Sequence, residues 1–245
     1  MSPSPAPSEP LRIRRHQPTR LEGFVDASFA FAVTILVISV GHVPTSVPEM
    51  LHALRGLPAF ALSFLMIARF WKAHRDWSRC YDIEDGSAVT LSLLLVFLVL
   101  VFVYPLRFIF ALLFLWLSGG FLIDQPLQPL TIDQYRVAFE VFGIGFASVA
   151  GIFALLYRHA LRARESVGLT TSEIIVTRMH LQLWCMTGGV ALLSALSAAT
   201  LPLPLDEQHG WLFGIPGALY ALNGVLAPAI RRGHRRRLAT LPQAA

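Results

Sequence analysis

Charge is what this chain has least of. Only 14% of its 245 residues are Asp, Glu, Lys or Arg, against about 25% in an ordinary soluble domain. Hydrophobic residues make up 55% and mean hydropathy is +0.59. That scarcity excludes a water-soluble domain and leaves a polytopic membrane protein. Cysteine is nearly missing as well. Cys80 and Cys185 have no metal-ligand spacing and are expected near the cytoplasmic ends of helices, as reduced thiols. No HExxH, GxSxG, Walker loop or CxxC is present, so the chain reads as no enzyme and as needing no cofactor. The net charge of +5 does not point to nucleic acid, because arginines beside apolar segments report topology instead.

What is present is a series of apolar segments. Six spans are expected, at about 22–42, 56–79, 87–105, 136–158, 178–200 and 211–230. Each has roughly the 20 residues that cross a 30 Å hydrocarbon core, and each must be helical because lipid cannot satisfy open backbone groups. Apolar character continues from Phe108 to Ile123, past Pro105 and Arg107. That stretch reads as an extension of the third helix, an interfacial piece or a seventh span. Charge argues against the seventh span. With six, all of the 20 basic residues except Arg55, Arg107 and Arg136 fall on one side, which is then the cytoplasmic side and holds both termini.

Residues 1–19, rich in Pro, Ser and Arg, read as a disordered cytoplasmic tail. Residues 20–232 form one six-helix unit. Residues 233–245 form a basic tail, and the run from Arg231 to Arg237 is suited to contact with lipid headgroups.

The segment from Arg20 to Ile38 is the most informative. Charges at its start lead into an apolar helix that carries Asp26, and a carboxylate in a bilayer interior costs about 2.5–3.5 kcal/mol on insertion scales. Glu22, one turn earlier, is expected to reach water. Asp26 lies deeper and needs a partner. Trp71 and His74 sit at a matching depth near the cytoplasmic end of the second span, so their ring N–H groups are candidate donors. On another face of the first helix, Ala27, Phe31, Thr34 and Ile38 form a stripe. It suits either ordinary packing or the lining of a narrow pore gated by apolar rings. Glu84-Asp85 and Asp206-Glu207 sit in expected loops and read as solvated. His180 and Trp184 read as interfacial.

These residues resemble the bacterial transmembrane protein 175-like potassium channels. That family's signature is an Arg, three residues, then Phe-Ser-Asp; here Arg20, Phe24, Val25 and Asp26 occupy the positions. Ser63-Phe64-Leu65 and Phe70-Trp71-x-x-His74 match the family's second helix, and a leucine-rich third helix runs to Pro105. The resemblance covers about residues 20–107. It implies a homotetramer of six-helix subunits in the bacterial inner membrane, with the first helices around a central pore that passes K+. It also implies an apolar constriction in place of a TVGYG-like filter, at Phe31 with Thr34 and Ile38 following. Arg20, Phe24, Asp26, Trp71 and His74 would form a structural network behind it. Two departures stand out: Val25 replaces the signature serine, and no Asn occurs between Gly86 and Pro105 where the family carries one. The expected function is a potassium-permeable channel with a hydrophobic constriction. The alternatives are a non-conducting scaffold of the same fold and a proton-coupled transporter using Asp26.

Overall fold

The computed structural model describes residues 11–39, 41, 43–124, 130–200, 212 and 214–240, and the elements in them are helical. Helix α1 spans Arg20–Ile38, α2 Val47–Arg55, α3 Leu57–Tyr81, α4 Gly86–Ser118 and α5 Ile132–Arg162. After a short α6, Arg164–Val167, come α7 (Thr171–Ala199), α8 (Ile215–Ala218), a 3-10 turn (Leu219–Ala221) and α9 (Leu222–Ala239). Among the described residues, α1, α4, α5 and α7 are each long and apolar enough to cross a membrane, and α2 with α3 forms a further candidate span bent by 50°. The chain is a multi-pass membrane protein.

Local sequence explains the helix ends. Thr19 caps α1 by accepting from the Glu22 backbone N–H, and Asp85 caps α4 through Ala88 N–H. Thr131–Gln134 and Thr170–Glu173 are reciprocal capping boxes on α5 and α7, each satisfying backbone donors that a helix start leaves open. Gly119, at φ 60°, ends α4.

Helix α1 packs on α3 and α4, α5 pairs with both α4 and α7, and α9 lies along α7. The α5–α7 approach depends on small residues, as membrane helix pairs commonly do. A Cβ at Gly143 would stand 2.7 Å from the Ala191 carbonyl oxygen and 2.8 Å from Ala195 Cβ. An aromatic core fills the space between helices, with Phe153 stacked on Trp184 at 4.2 Å and Phe102 stacked on Phe142 at 5.3 Å.

Several expectations change. The third apolar segment is one continuous 33-residue helix through Pro105, because Arg107 finds a carboxylate, Asp124, at 2.6 Å. The loop expected between the first two spans holds α2, capped by Ser46. Residues 11–19 are not a loose tail: the Arg14 and Arg15 backbone N–H groups donate to the Arg79 carbonyl. Residues 1–10 of that expected tail lie outside the described residues. The sixth expected span, 211–230, lies partly outside them too; its described part is α8, the 3-10 turn and the start of α9. Helix α9 crosses the expected boundary at 232 and continues to Ala239. Trp184 is buried in the core, and Cys185 sits at mid-helix in α7 and is exposed, so neither is at an interface or a helix end as expected.

Candidate functional site

Helix α1 has two faces of different character. Val25, Phe29, Ala32 and Leu36 are buried against α3 and α4. The other face is uncovered: Phe24 is exposed, Phe31 is 58% exposed and Ile38 69%, and Ala27 and Thr34 are exposed with them. On a helix of 3.6 residues per turn, Ala27, Phe31, Thr34 and Ile38 fall within about 40° of one line. The structure therefore brings the expected stripe together and leaves it without cover in the single chain. The Thr34 hydroxyl donates to the Ala30 carbonyl at 3.1 Å, which directs its proton into the helix and leaves the oxygen lone pairs outward.

Behind that face the N-terminal end of α1 is fastened. The Trp71 indole N–H donates to Asp26 Oδ1 at 2.7 Å, and the Arg75 guanidinium lies over the same indole, 5.0 Å from its centre. The carboxylate thus gains a charge-assisted bond on the side of α1 that faces α3. His74 does not donate to Asp26. It is buried, and its Nε2 lies 2.9 Å from Ser92 Oγ on α4. Ser92 is a functional candidate that the sequence reading missed. Its signal was a hydroxyl set between leucines, on the helix where the family's asparagine was sought. Val25, in place of the family serine, is fully buried, so packing takes over where a hydroxyl would need a partner.

Glu22 is corrected. It is 1% exposed rather than open to water. Arg79 Nε donates to Glu22 Oε1 at 2.7 Å, and Arg15 Nη2 lies 3.7 Å from Oε2. A buried carboxylate needs such cations. The arm of residues 11–19 supplies one and fastens itself elsewhere. Arg14 forms a two-pronged pair with Glu173 at 2.8 and 2.9 Å and donates to the Cys80 carbonyl. The Glu173 hydrogen bond raises the Arg14 pKa above its ordinary value. Arg15 reaches Asp82, Glu84 and the Ser78 hydroxyl. Glu84 and Asp85 are thus engaged, Asp85 also receiving His159 Nε2 at 2.7 Å.

Arg20 and Phe24 stand apart from this network. Both are exposed on α1, and no partner among the described residues engages the Arg20 guanidinium. Among the described residues no group of three or more His, Cys, Asp or Glu is placed to hold a metal.

The arrangement is a bundle that presents one helix outward, fixed from behind by an aspartate, a tryptophan and a buried glutamate. The family model for the endosomal/lysosomal potassium channel TMEM175 matches residues 20–105, the region of α1 to α4 that carries these contacts. That match takes in α1, α2, α3 and most of α4. A curated relative named potassium channel, from Marivirga tractuosa, is 28% identical over 187 residues, 75% of each chain. The fold is similar to that of the potassium channel MtTMEM175, solved as a variant with a nanobody–MBP fusion. That match has a TM-score of 0.75, with 24% identity, and covers 94% of this chain and 99% of the other. A second solved structure, a lysosomal potassium-selective channel TMEM175 homolog from Chamaesiphon minutus, matches with a TM-score of 0.53. Its identity is 21%, covering 88% of this chain and 96% of the other. The TMEM175-like family and these relatives are channels, not enzymes.

Proposed function

We propose that four copies of this chain form a potassium-permeable channel in the bacterial inner membrane. Each subunit has six spans and two cytoplasmic termini, and the bare faces of the four α1 helices line the conduction path. The observation that carries this reading is the uncovered stripe of Phe31, Thr34 and Ile38, opposite a face that is fully packed. The curated relative's name supports potassium as the permeant ion. The sixth span is the segment that ends in α9, whose last turns carry the basic run and face the inner headgroups.

In this reading Phe31 forms the tightest level, an apolar ring that gates by excluding water. Thr34, about 4–5 Å further along at 1.5 Å per residue, offers hydroxyl oxygens where a cation has shed part of its hydration. Asp26, Trp71, His74 and Ser92 hold the helix and do not touch the ion. This placement gives Asp26 a positioning role, where a proton-coupled transporter would need it to titrate against a substrate.

The test is potassium flux into liposomes from purified protein of known oligomeric state. The tetramer should carry flux, and Phe31→Ala should raise it severalfold. Well-folded tetramers that carry none, as wild type and as Phe31→Ala, would replace the channel with a non-conducting scaffold of the same fold.

A further inference from the structure

Arg20 is the first residue of α1, following the capping Thr19. Its position on the helix has a consequence for ion passage. Projected at 3.6 residues per turn, Arg20 falls within about 40° of the line through Ala27, Phe31, Thr34 and Ile38. It therefore sits on the conducting stripe, about 16 Å inward of Phe31 at 1.5 Å per residue. It is exposed, and no carboxylate among the described residues engages it. The two acids of α1 are committed on other faces: Glu22 to Arg79 and Arg15, Asp26 to Trp71. Nothing negative shares the stripe with it. The N-terminal end of the helix adds partial positive charge at the same level.

We propose that Arg20 forms a ring of four unpaired guanidinium groups at the cytoplasmic mouth, and that this ring lowers the local K+ concentration and restrains outward current. The proposal rests on α1 lining the pore. Like charges focused in a narrow, low-dielectric mouth produce potentials of several kT, and one kT already depletes a monovalent cation about threefold. Ions entering from the outside do not collect at this level first, so inward current is held back less. The wild-type channel therefore rectifies inwardly at low salt. Since the Debye length shortens from about 30 Å at 0.01 M to about 3 Å at 1 M, the restraint fades as salt rises.

The experiment is single-channel recording in excised patches, where orientation is defined, in symmetrical KCl at about 0.02 M and about 1 M. Arg20→Gln should raise outward conductance about threefold at low salt and change it little at high salt. Arg20→Glu should exceed Arg20→Gln, and Arg20→Lys should match the wild type. If Arg20→Gln and Arg20→Glu fail to assemble, the wild type alone decides: its outward-to-inward ratio must rise toward one with salt. A conducting wild type whose ratio is independent of salt, or an Arg20→Gln conductance equal to wild type at low salt, overturns the Arg20 ring and leaves the pore reading standing. Absence of conductance in both wild type and Phe31→Ala overturns the pore reading itself.

Discussion

Trp71 donates its indole N–H to Asp26 across the seam between α1 and α3, at 2.7 Å. This bond lets a carboxylate sit in an otherwise apolar helix. Removing the donor while keeping the ring shape close, as in Trp71→Phe, leaves the carboxylate without that bond. A hydrogen bond to a charged group contributes about 1.5–3 kcal/mol, so Trp71→Phe should lower the Tm of the purified protein measurably. Asp26→Asn should cost less, because an amide oxygen still accepts. A Trp71→Phe protein as heat-stable as wild type would show that the bond carries no weight.

The Glu22–Arg79 pair should respond asymmetrically. The Glu22 side chain is fully buried, whereas that of Arg79 is 32% exposed. Arg79→Met leaves a buried carboxylate whose remaining cation, Arg15, stands off at 3.7 Å, and breaking a buried pair costs about 3–5 kcal/mol. Glu22→Gln lets Arg79 turn to water and should cost less. Chemical denaturation in mild detergent ranks the two, and the opposite ranking would contradict the burial.

Arg107 and Asp124 form a buried pair at the far end of the bundle, with side chains 10% and 8% exposed. Arg107 Nε and Nη1 have no hydrogen-bond partner among the described residues, so the pair is imperfectly satisfied there. Arg107→Met alone should therefore destabilise by about 3–5 kcal/mol, and adding Asp124→Leu should recover much of it. Gly56 belongs to the same knot. A Cβ there would fall 2.3 Å from Asp124 Cγ, so Gly56→Ala should also lower the Tm, by displacing Asp124 from Arg107.

Asp85 sets a dependence on pH. The backbone N–H of Ala88, with help from His159, holds its pKa below the usual carboxylate value despite some desolvation. The folded-state pKa is thus depressed. Its contribution is fully present above the unfolded value near 3.8 and is lost as pH falls through the lower folded value. Tm measured from pH 6 down to about pH 3 should fall less steeply in Asp85→Asn, which keeps the cap without titrating. Asp85→Ala should lower Tm at neutral pH by removing a cap contribution of about 1 kcal/mol.

Hydropathy gave the apolar helices their positions, because the cost of a charged residue in lipid leaves a plain mark. The Trp71–Asp26 pairing was legible from matching depth and from a resemblance confined to the first three spans. Other contacts were hidden for physical reasons. Arg14 and Arg15 look like a soluble tail because their partners, Glu173 and Glu84, are distant in sequence. Pro105 and Arg107 left the extension of the third helix as one reading among three, since a proline removes a helix hydrogen bond and an arginine in lipid is costly. A carboxylate 17 residues later makes the arginine tolerable there. Helix α2 was legible after all: Ser46-x-x-Glu49 is a capping pattern, overlooked inside a proline-bearing loop. Ser92 carried too little information alone, because only the buried imidazole opposite it gives the hydroxyl a task.

The unbroken course of α4 bears on how the chain meets the bilayer. At 1.5 Å per residue its 33 residues extend about 50 Å, well beyond a hydrocarbon core of about 30 Å. Membrane helices tilt at most about 40°, and that inclination still leaves the helix taller than the lipid. One end of the helix at least therefore stands at headgroup level or beyond, and Trp116 in its last turns is 78% exposed. The helix is a mast taller than the lipid, and the buried Arg107–Asp124 pair braces its C-terminal third against the rest of the protein.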